Sequence, residues 1–341
     1  MMKQTADDVF SRFAGKRVLF ISTKNRDYIR NTQEIRALEE TAAAVTVVAS
    51  GRSGYAGRLL YVYGWLLSHS CGDYDEVFVG FAPQLILPFW RGKFRKSVIT
   101  ADFFISLYDT MTCDRKKFRP DSIPGRFLRR LDQKTLERTD RVIADTRAHA
   151  RYFSETFGVP DEKLRVVYLE ADPDIYYPRS IQKPESCRDQ FLVLYFGSIL
   201  PLQGVDVILK TIELLRDVPG IRFEIIGPVG DSAGQTGNAD FIPWLAQEEL
   251  AEHIAYADLC LAGHFNPVIG KAKRTIPGKA SIYEAMEKRM VLGDNPANRE
   301  LFSDDSSHLF VRMGDAKALA DLILRVSCGE TVSLAESGEK R

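Results

Sequence analysis

Cysteine is scarce in this chain: five among 341 residues, Cys71, Cys113, Cys187, Cys260 and Cys328, with no CxxC pair. Scattered and odd in number, they exclude a disulfide framework and a structural zinc site, and read as a protein of a reducing compartment. No apolar run is long enough to span a bilayer, and the longest, "FAPQLILPFW", contains two prolines. The N-terminus "MMKQTADDVFSRFAGKRVLFIS" places acids ahead of its short apolar run, unlike a secretory signal. A cytoplasmic protein is therefore expected. Net charge is lacking as well, since 46 Lys and Arg balance 46 Asp and Glu, so nothing demands nucleic acid as a partner.

What is present is ordinary for a globular chain: 45% apolar and 27% charged residues. The length suits two domains with sizeable cores. Short β-branched runs alternate with helical patterns throughout, which predicts an α/β fold with parallel sheets. The strand candidates of the first half are 17–22, 44–50, 76–81, 96–102, 141–146 and 164–169. Those of the second half are 191–197, 221–227, 259–263, 290–294 and 309–313. Periodicity fails in "DPDIYYPRSIQKPESCR" (172–188), the expected linker. Two doubly wound Rossmann-like domains facing across a cleft, 1–178 and 186–330, with a frayed tail at 331–341, are the simplest architecture.

The neutrality hides an asymmetry. Residues 1–178 hold 28 cations and 23 acids, and residues 179–341 hold 18 and 23. Residues 89–130 alone hold 11 cations and 4 acids. A second concentration of charge, Lys271, Lys273, Arg274 and Lys279 in "GKAKRTIPGKASIYEAM", surrounds a proline-glycine helix start. Helix N-termini present unpaired N–H groups, so this cluster is read as a phosphate cradle, with a solvated surface as its competitor.

Ligands of open parallel sheets bind beyond the carboxyl ends of the strands. Three strand candidates of the second half end in glycine: Gly197 in "YFGSILPLQG", Gly227 in "IIGPVG" and Gly263 in "LAGHFN". Glycine there lets the backbone turn sharply and approach a ligand closely. In order, "LYFGSILPLQGVDVILKTIELLRDVPGIRFEIIGPVG", "FIPWLAQEELAEHIAYADLCLAG", "RTIPGKASIYEAM" and "GDNPANRELF" resemble the nucleotide-binding domain of GT-B glycosyltransferases, family 4-like (group 1). "DRVIADTRAHARYFSETFGVPDEKLRVVYLEADPDIYYP" resembles the stretch that closes the acceptor domain of that family. The resemblance runs from about residue 98 to 325.

The resemblance implies retaining transfer of a sugar from a nucleotide diphosphate donor to a glycan or lipid-linked acceptor, in polysaccharide or glycoconjugate synthesis, with no cofactor and no required metal. The sequence has no acidic DxD motif of the kind that would hold a divalent ion, so side-chain cations must stabilise the leaving diphosphate. Where the family places an Arg and a Lys after the first strand of this domain, the sequence has Ser198 and Gln203, in a loop that ends at Gly204. Lys271, Arg274 and Lys279, with a helix start near Ile276, are expected to replace that pair. The family's two Glu, with seven residues between them, fall on Arg274 and Ile282. Glu284 is kept for the ribose through a small shift of the helix start, against an ion pair with Lys288 or a capping box with Ser281.

Gly227 and Trp244 are assigned to ribose and base, the tryptophan being equally well placed for the core. His264, just past a strand and close to the expected donor sugar, is either a satisfied polar residue or a proton partner. In the first half Asp102 is the candidate for binding sugar hydroxyls or activating the acceptor, with Asp109 and Tyr108 on the same lip. The basic aromatic stretches 89–96 and 114–130 suit peripheral contact with an anionic membrane at its inner face. Two other classes stay open: a GT-B-like nucleotide-sugar epimerase, and a non-catalytic nucleotide-sugar-binding partner protein.

Overall fold

In the computed structural model residues 6–228 and 237–330 are described; the tail 331–341 lies outside the described residues. The chain divides into two compact units, Met1–Glu170 and Ala171–Arg341. The first contains β1 (Arg17–Ile21), β2 (Ala44–Val48), β3 (Glu76–Val79), β4 (Val98–Asp102), β5 (Arg141–Ala144) and β6 (Leu164–Val166). Its helices are α1 (Ala6–Phe10), α2 (Ile29–Thr41), α3 (Tyr55–Ser68), α4 (Leu87–Trp90), α5 (Leu107–Asp109), α6 (Ile123–Glu137) and α7 (Arg147–Phe157). The second contains β7 (Phe191–Phe196), β8 (Ile221–Ile226), β9 (Ala239–Ile242), β10 (Leu259–Leu261), β11 (Met290–Gly293) and β12 (His308–Val311). Its helices are α8 (Val205–Leu214), α9 (Gln247–Tyr256), α10 (Gly270–Arg274), α11 (Gly278–Ala285), α12 (Asn298–Leu301) and α13 (Ala316–Ser327).

Each unit is built on a six-stranded sheet, ordered β2-β1-β3-β4-β5-β6 and β12-β11-β10-β7-β8-β9. All pairings of these strands are parallel. Eleven of the strands coincide with the sequence expectation. The twelfth, β9, is not among the expected strands, because its four half-buried residues "ADFI" at the sheet edge form no apolar run.

Both faces of each sheet are covered, which is why the strands read as continuous apolar runs. In β1, Val18 and Phe20 pack with Phe10, Phe13, Ile35 and Leu38 of the α1 and α2 side. Leu19 and Ile21 point the other way, onto Val62 and Leu66 of α3 and Leu87 of α4. In the second unit Val193 and Tyr195 pack under α8 and α13, whose Ile208, Ile212, Leu319 and Ile323 fill the same cluster. Local signals set the ends of several helices: Ser122, Thr146 and Asp315 accept from backbone N–H groups of α6, α7 and α13.

The strand order fixes where each sheet can hold a ligand. From β7 the chain moves outward to β8 and β9, then crosses back to β10 on the other side of β7. The crossovers therefore diverge between β7 and β10, leaving a crevice at their carboxyl ends. The loop from β7 reaches α8 through Gly204, whose φ is +67°, and a Cβ there would lie 2.8 Å from Asn266 N and from the Phe265 carbonyl carbon. Gly204→Ala therefore combines left-handed strain with a backbone clash, and should lower unfolding free energy by about 2–4 kcal/mol. Gly220→Ala is the control: φ is +81° with nothing within 4 Å, and the expected loss is about 1 kcal/mol. Urea midpoints of the two variants measure the difference.

Candidate functional site

The carboxyl ends of β7 and β10 are lined with backbone rather than side chains. β7 gives way to Gly197 and β10 to Ala262 and Gly263. Gly227, after β8, comes so close that a Cβ on it would lie 2.5 Å from the Gly197 carbonyl oxygen. Into this space reaches one cation, Lys279, from the first turn of α11. Its ammonium donates to Gln203 Oε1 at 2.6 Å. A Cβ on Gly197 would lie 3.4 Å from Nζ, and one on Gly263 only 3.1 Å. Nζ also stands 4.9 Å from the ring centroid of Tyr195.

Lys279 is 7% exposed, and burial drives its pKa down from 10.5 to about 7. No neighbouring carboxylate contributes to that shift; the bond to a neutral amide does not replace the lost hydration. Beside it the Tyr195 hydroxyl is buried and has no hydrogen-bond partner among the described residues, and burial raises the pKa of its phenol. A Cβ on Gly197 would lie 3.2 Å from that hydroxyl. An unoffset ammonium and an unsatisfied hydroxyl thus border one backbone-lined crevice. Such an arrangement suits an anion with several oxygens.

His264 adjoins this group. Its φ of 57° is left-handed, a conformation that costs energy in a non-glycine residue. The ring is buried, with Nδ1 3.0 Å from the Thr275 carbonyl. Gly197, Gln203, Gly204, Gly227, His264 and Lys279 are therefore brought together by the fold.

Lys271, Arg274 and Ser198 stay close to the loop after β7: α10 packs on it through Ala272 and Leu202, and Ser198 directly follows Gly197. The charged run forms two helices instead of one start near Ile276, with Pro277 as N-cap of the second. Lys271, Lys273 and Arg274 lie in the last turn of α10, where cations complement the exposed carbonyls. Arg274 folds back over Gly270, whose Cβ would meet Nη1 at 2.7 Å. Ser198 is exposed on the loop after β7.

Glu284 is a correction. It stands five residues further along α11 than Lys279, about 7.5 Å along the axis, and accepts from His308 Nε2 at 2.7 Å. His308 begins β12, at the amino edge of the sheet, opposite the crevice. A local shift of the helix start could not return Glu284 to the carboxyl side. Neither expected alternative forms: the N-cap is Pro277, and Lys288 Nζ donates to the Ala255 carbonyl at 2.8 Å. Trp244 follows β9 and is 54% exposed, so its ring belongs to the surface and not to the core.

Asp102 is the second correction. It is fully buried, and its two oxygens accept from Arg30 Nε and Nη2, both at 2.9 Å. Arg30 also pairs with buried Glu34 at 3.3 Å and donates to the Val167 carbonyl at 2.6 Å. Burial, then the charge of Asp102, pushes the Glu34 carboxyl up. Asp102 is therefore one member of a guanidinium-centred structural network, not a free group on a lip. Asp109 is buried too, its N–H donating to Ser106 Oγ at 3.0 Å.

Tyr108 donates its backbone N–H at 2.9 Å to Asp132, a carboxylate outside the expected site residues. Asp132 also accepts from Ser106 at 2.7 Å and from Gln84 at 2.9 Å. Burial outweighs these bonds and pushes its pKa up to about 6. Its signal was a carboxylate in step with buried Thr135 and Leu136 on α6. The DxD triplets at 73–75 and 172–174 hold the backbone: Asp75 accepts from Arg17 N at 2.8 Å and Asp172 from Asp174 N at 3.1 Å. Among the described residues no group of three or more His, Cys, Asp or Glu could hold a metal ion.

Comparison with known proteins gives this geometry a lineage. Residues 190–328 match the family model "Glycosyl transferases group 1". A D-inositol 3-phosphate glycosyltransferase of Nocardioides is 25% identical over 227 residues, covering 57% of this chain and 47% of that protein. The same enzyme of Mycolicibacterium smegmatis is 25% identical over 157 residues, covering 41% and 36%. The chain spans about half or less of the length of these curated relatives. Among solved structures, Anabaena HepE in complex with UDP and glucose superposes with a TM-score of 0.61 at 15% identity, covering 94% of this chain and 92% of that one. Sucrose-phosphate synthase from Thermosynechococcus elongatus superposes at 0.64 with 13% identity, covering 91% and 89%. The two parallel sheets thus have the GT-B fold shared with these solved structures, and residues 190–328 are similar to the group 1 glycosyltransferases.

Proposed function

We propose that this protein transfers a sugar from a nucleotide diphosphate donor, held by the second unit, to a glycan or lipid-linked acceptor held by the first. The observation that carries the reading is the buried Lys279 ammonium between Gly197 and Gly263. Departure of the nucleotide builds negative charge on the diphosphate as the glycosidic C–O bond stretches. A cation already stripped of water stabilises that charge more strongly than a hydrated one. Gln203 holds the ammonium in place before the ligand arrives, and first-turn N–H groups of α11 add to the field. The Tyr195 hydroxyl is available to a phosphate oxygen. Trp244 is assigned to the base as an exposed stacking face and Gly227 to the close approach of the ribose.

In the proposed reaction the acceptor oxygen attacks the anomeric carbon from the face that the diphosphate leaves, and the configuration is retained. The C–O bond to the diphosphate breaks as the new one forms, and the acceptor proton passes to the departing phosphate oxygen. Lys279 supplies charge that a divalent ion would otherwise contribute, so turnover is expected to continue in EDTA. The complex of HepE with UDP and glucose supports a UDP-linked hexose as donor; a role in polysaccharide or glycoconjugate synthesis belongs to the same proposal.

Lys279→Met should act in opposite directions on stability and binding. The folded pKa of Lys279 lies below its unfolded value, so between about pH 7 and 10 the unfolded chain binds more protons and stability rises with pH. Removing the ammonium should therefore raise the melting temperature of the ligand-free protein at pH 7, with the gain fading towards pH 10. The same variant should lose one to two orders of magnitude, roughly, in nucleotide affinity. Thermal shifts with UDP-, GDP-, ADP- and TDP-sugars measure both effects. Donor binding without turnover on any acceptor would favour a binding protein, and a new epimer formed without acceptor would favour an epimerase.

A further inference from the structure

α3 breaks the usual rule for a surface helix. Its buried stripe is Arg58, Val62 and Leu66, yet its outer stripe, Leu60, Tyr61, Gly64 and Leu67, carries no charge. The one charged side chain of the helix, Arg58, is turned inward onto the carbonyls of Thr23, Arg52 and Ser53. Helices apolar all round are normally covered. At 14 residues α3 is too short to span a bilayer, and no described helix is long and apolar enough to cross one.

The exposed outer face continues onto its neighbours. Tyr63 packs edge-on against Trp90 at 5.3 Å and donates to the Leu85 carbonyl at 2.6 Å, which seats α4 beside α3. Gln84 donates to Asp132 at 2.9 Å and Arg138 donates to the Leu87 carbonyl at 3.4 Å, which seats α6 beside α4. Each of the three helices presents large apolar groups outward: Leu60, Leu67, Phe89, Ile123 and Phe127 are 61% to 76% exposed. Among the described residues every exposed large apolar side chain of the first unit falls between Tyr55 and Phe127. Scattered singly such groups are unremarked surface; gathered on one layer they mark an interaction face.

Charge on the same layer selects the partner. Segments 51–72 and 77–101 contain no Asp or Glu, against the cations Arg52, Arg58, Arg91, Lys93, Arg95 and Lys96. Residues 115–131 add seven cations against the single acid Asp121. Beneath Leu67 lies an open depression of about 520 Å³, bordered by His69, Lys93, Arg95 and Lys96. Lys93 is committed to the end of α3, its Nζ donating to the Leu66 and His69 carbonyls. Arg95 and Lys96 are exposed. Apolar side chains standing among unopposed cations match a bilayer surface with anionic headgroups, where apolar groups enter the acyl boundary and cations remain with the phosphates.

We propose that the α3–α4–α6 layer is a docking surface for an anionic lipid bilayer, with Leu60, Leu67, Phe89, Ile123 and Phe127 inserted and the depression beside Leu67 receiving a headgroup phosphate. The surface belongs to the first unit alone and does not depend on which donor the second unit binds.

Co-sedimentation with phosphatidylcholine vesicles, with and without phosphatidylglycerol, tests it at low and high salt. The full chain should pellet with the anionic vesicles at low salt and remain in solution with neutral ones. Arg95→Gln with Lys96→Gln, and separately Leu67→Ser with Phe89→Ser, should each lower the partition coefficient by about tenfold. Thermal shift by the donor nucleotide should be unchanged in both, which shows that the variants are folded and separates this result from the donor reading. Equal recovery with neutral and anionic vesicles would overturn the proposal, as would variants that bind like the wild type. A concentration-dependent dimer abolished by the Leu67 and Phe89 substitutions, without vesicle binding, would assign the face to a second copy of the chain instead.

Discussion

One buried ammonium organises the second unit. Lys279 sits where the crossovers of the sheet diverge, and its surroundings are built to hold it while leaving its charge uncompensated. Gln203 accepts from it at 2.6 Å, Tyr195 lies beneath it, and glycines at 197 and 263 keep side chains out of the space beyond. A carboxylate partner would have made the unliganded protein more stable and would have competed with any anion for the site. Leaving the cation unpaired costs stability, visible in its depressed pKa, and reserves its strongest interaction for a ligand.

The first unit makes the contrary choice at the corresponding edge of its sheet. There Arg30 is enclosed by Asp102 and Glu34, and α2 is tied to the carboxyl end of β4 by charge. A guanidinium with two carboxylates is already satisfied and has little left to offer a phosphate. The same sheet architecture thus yields one edge with an available cation and one with a closed network. This division supports assigning the donor to the second unit. It also turns the functional exterior of the first unit towards its helical layer, where apolar and basic groups are exposed without acids among them.

Much of the fold was legible because strands covered on both faces must be apolar throughout. That made eleven of twelve strands stand out, and the glycines ending three of them marked the carboxyl edge. The half-buried edge strand β9 lacked that signal. Within the site, sequence proximity misled at "GKAKRTIPGK". Four cations close in sequence divide between the end of one helix and the start of the next, and Lys279 is the one whose ammonium stands against Gly197 and Gly263. Glu284 failed for the same reason: helical rise carries it to the opposite edge of the sheet, where it meets His308. Asp102 ended a strand as expected, but its long-range partner Arg30, 72 positions away, could not be inferred from local spacing. Tyr195 was hidden inside an apolar strand, where only the lack of a partner for its hydroxyl distinguishes it.

The central claim is that burial destabilises the Lys279 ammonium in the empty crevice, bringing its pKa down to about 7, and that an entering diphosphate holds it fully protonated. Titration calorimetry at pH 8, using the nucleotide diphosphate that gives the largest thermal shift, in buffers of differing ionisation enthalpy, measures that proton directly. The account predicts uptake approaching about one proton per ligand in the wild type and none in Lys279→Met. Binding that is as tight in the variant, or a wild-type enthalpy independent of buffer, would contradict it.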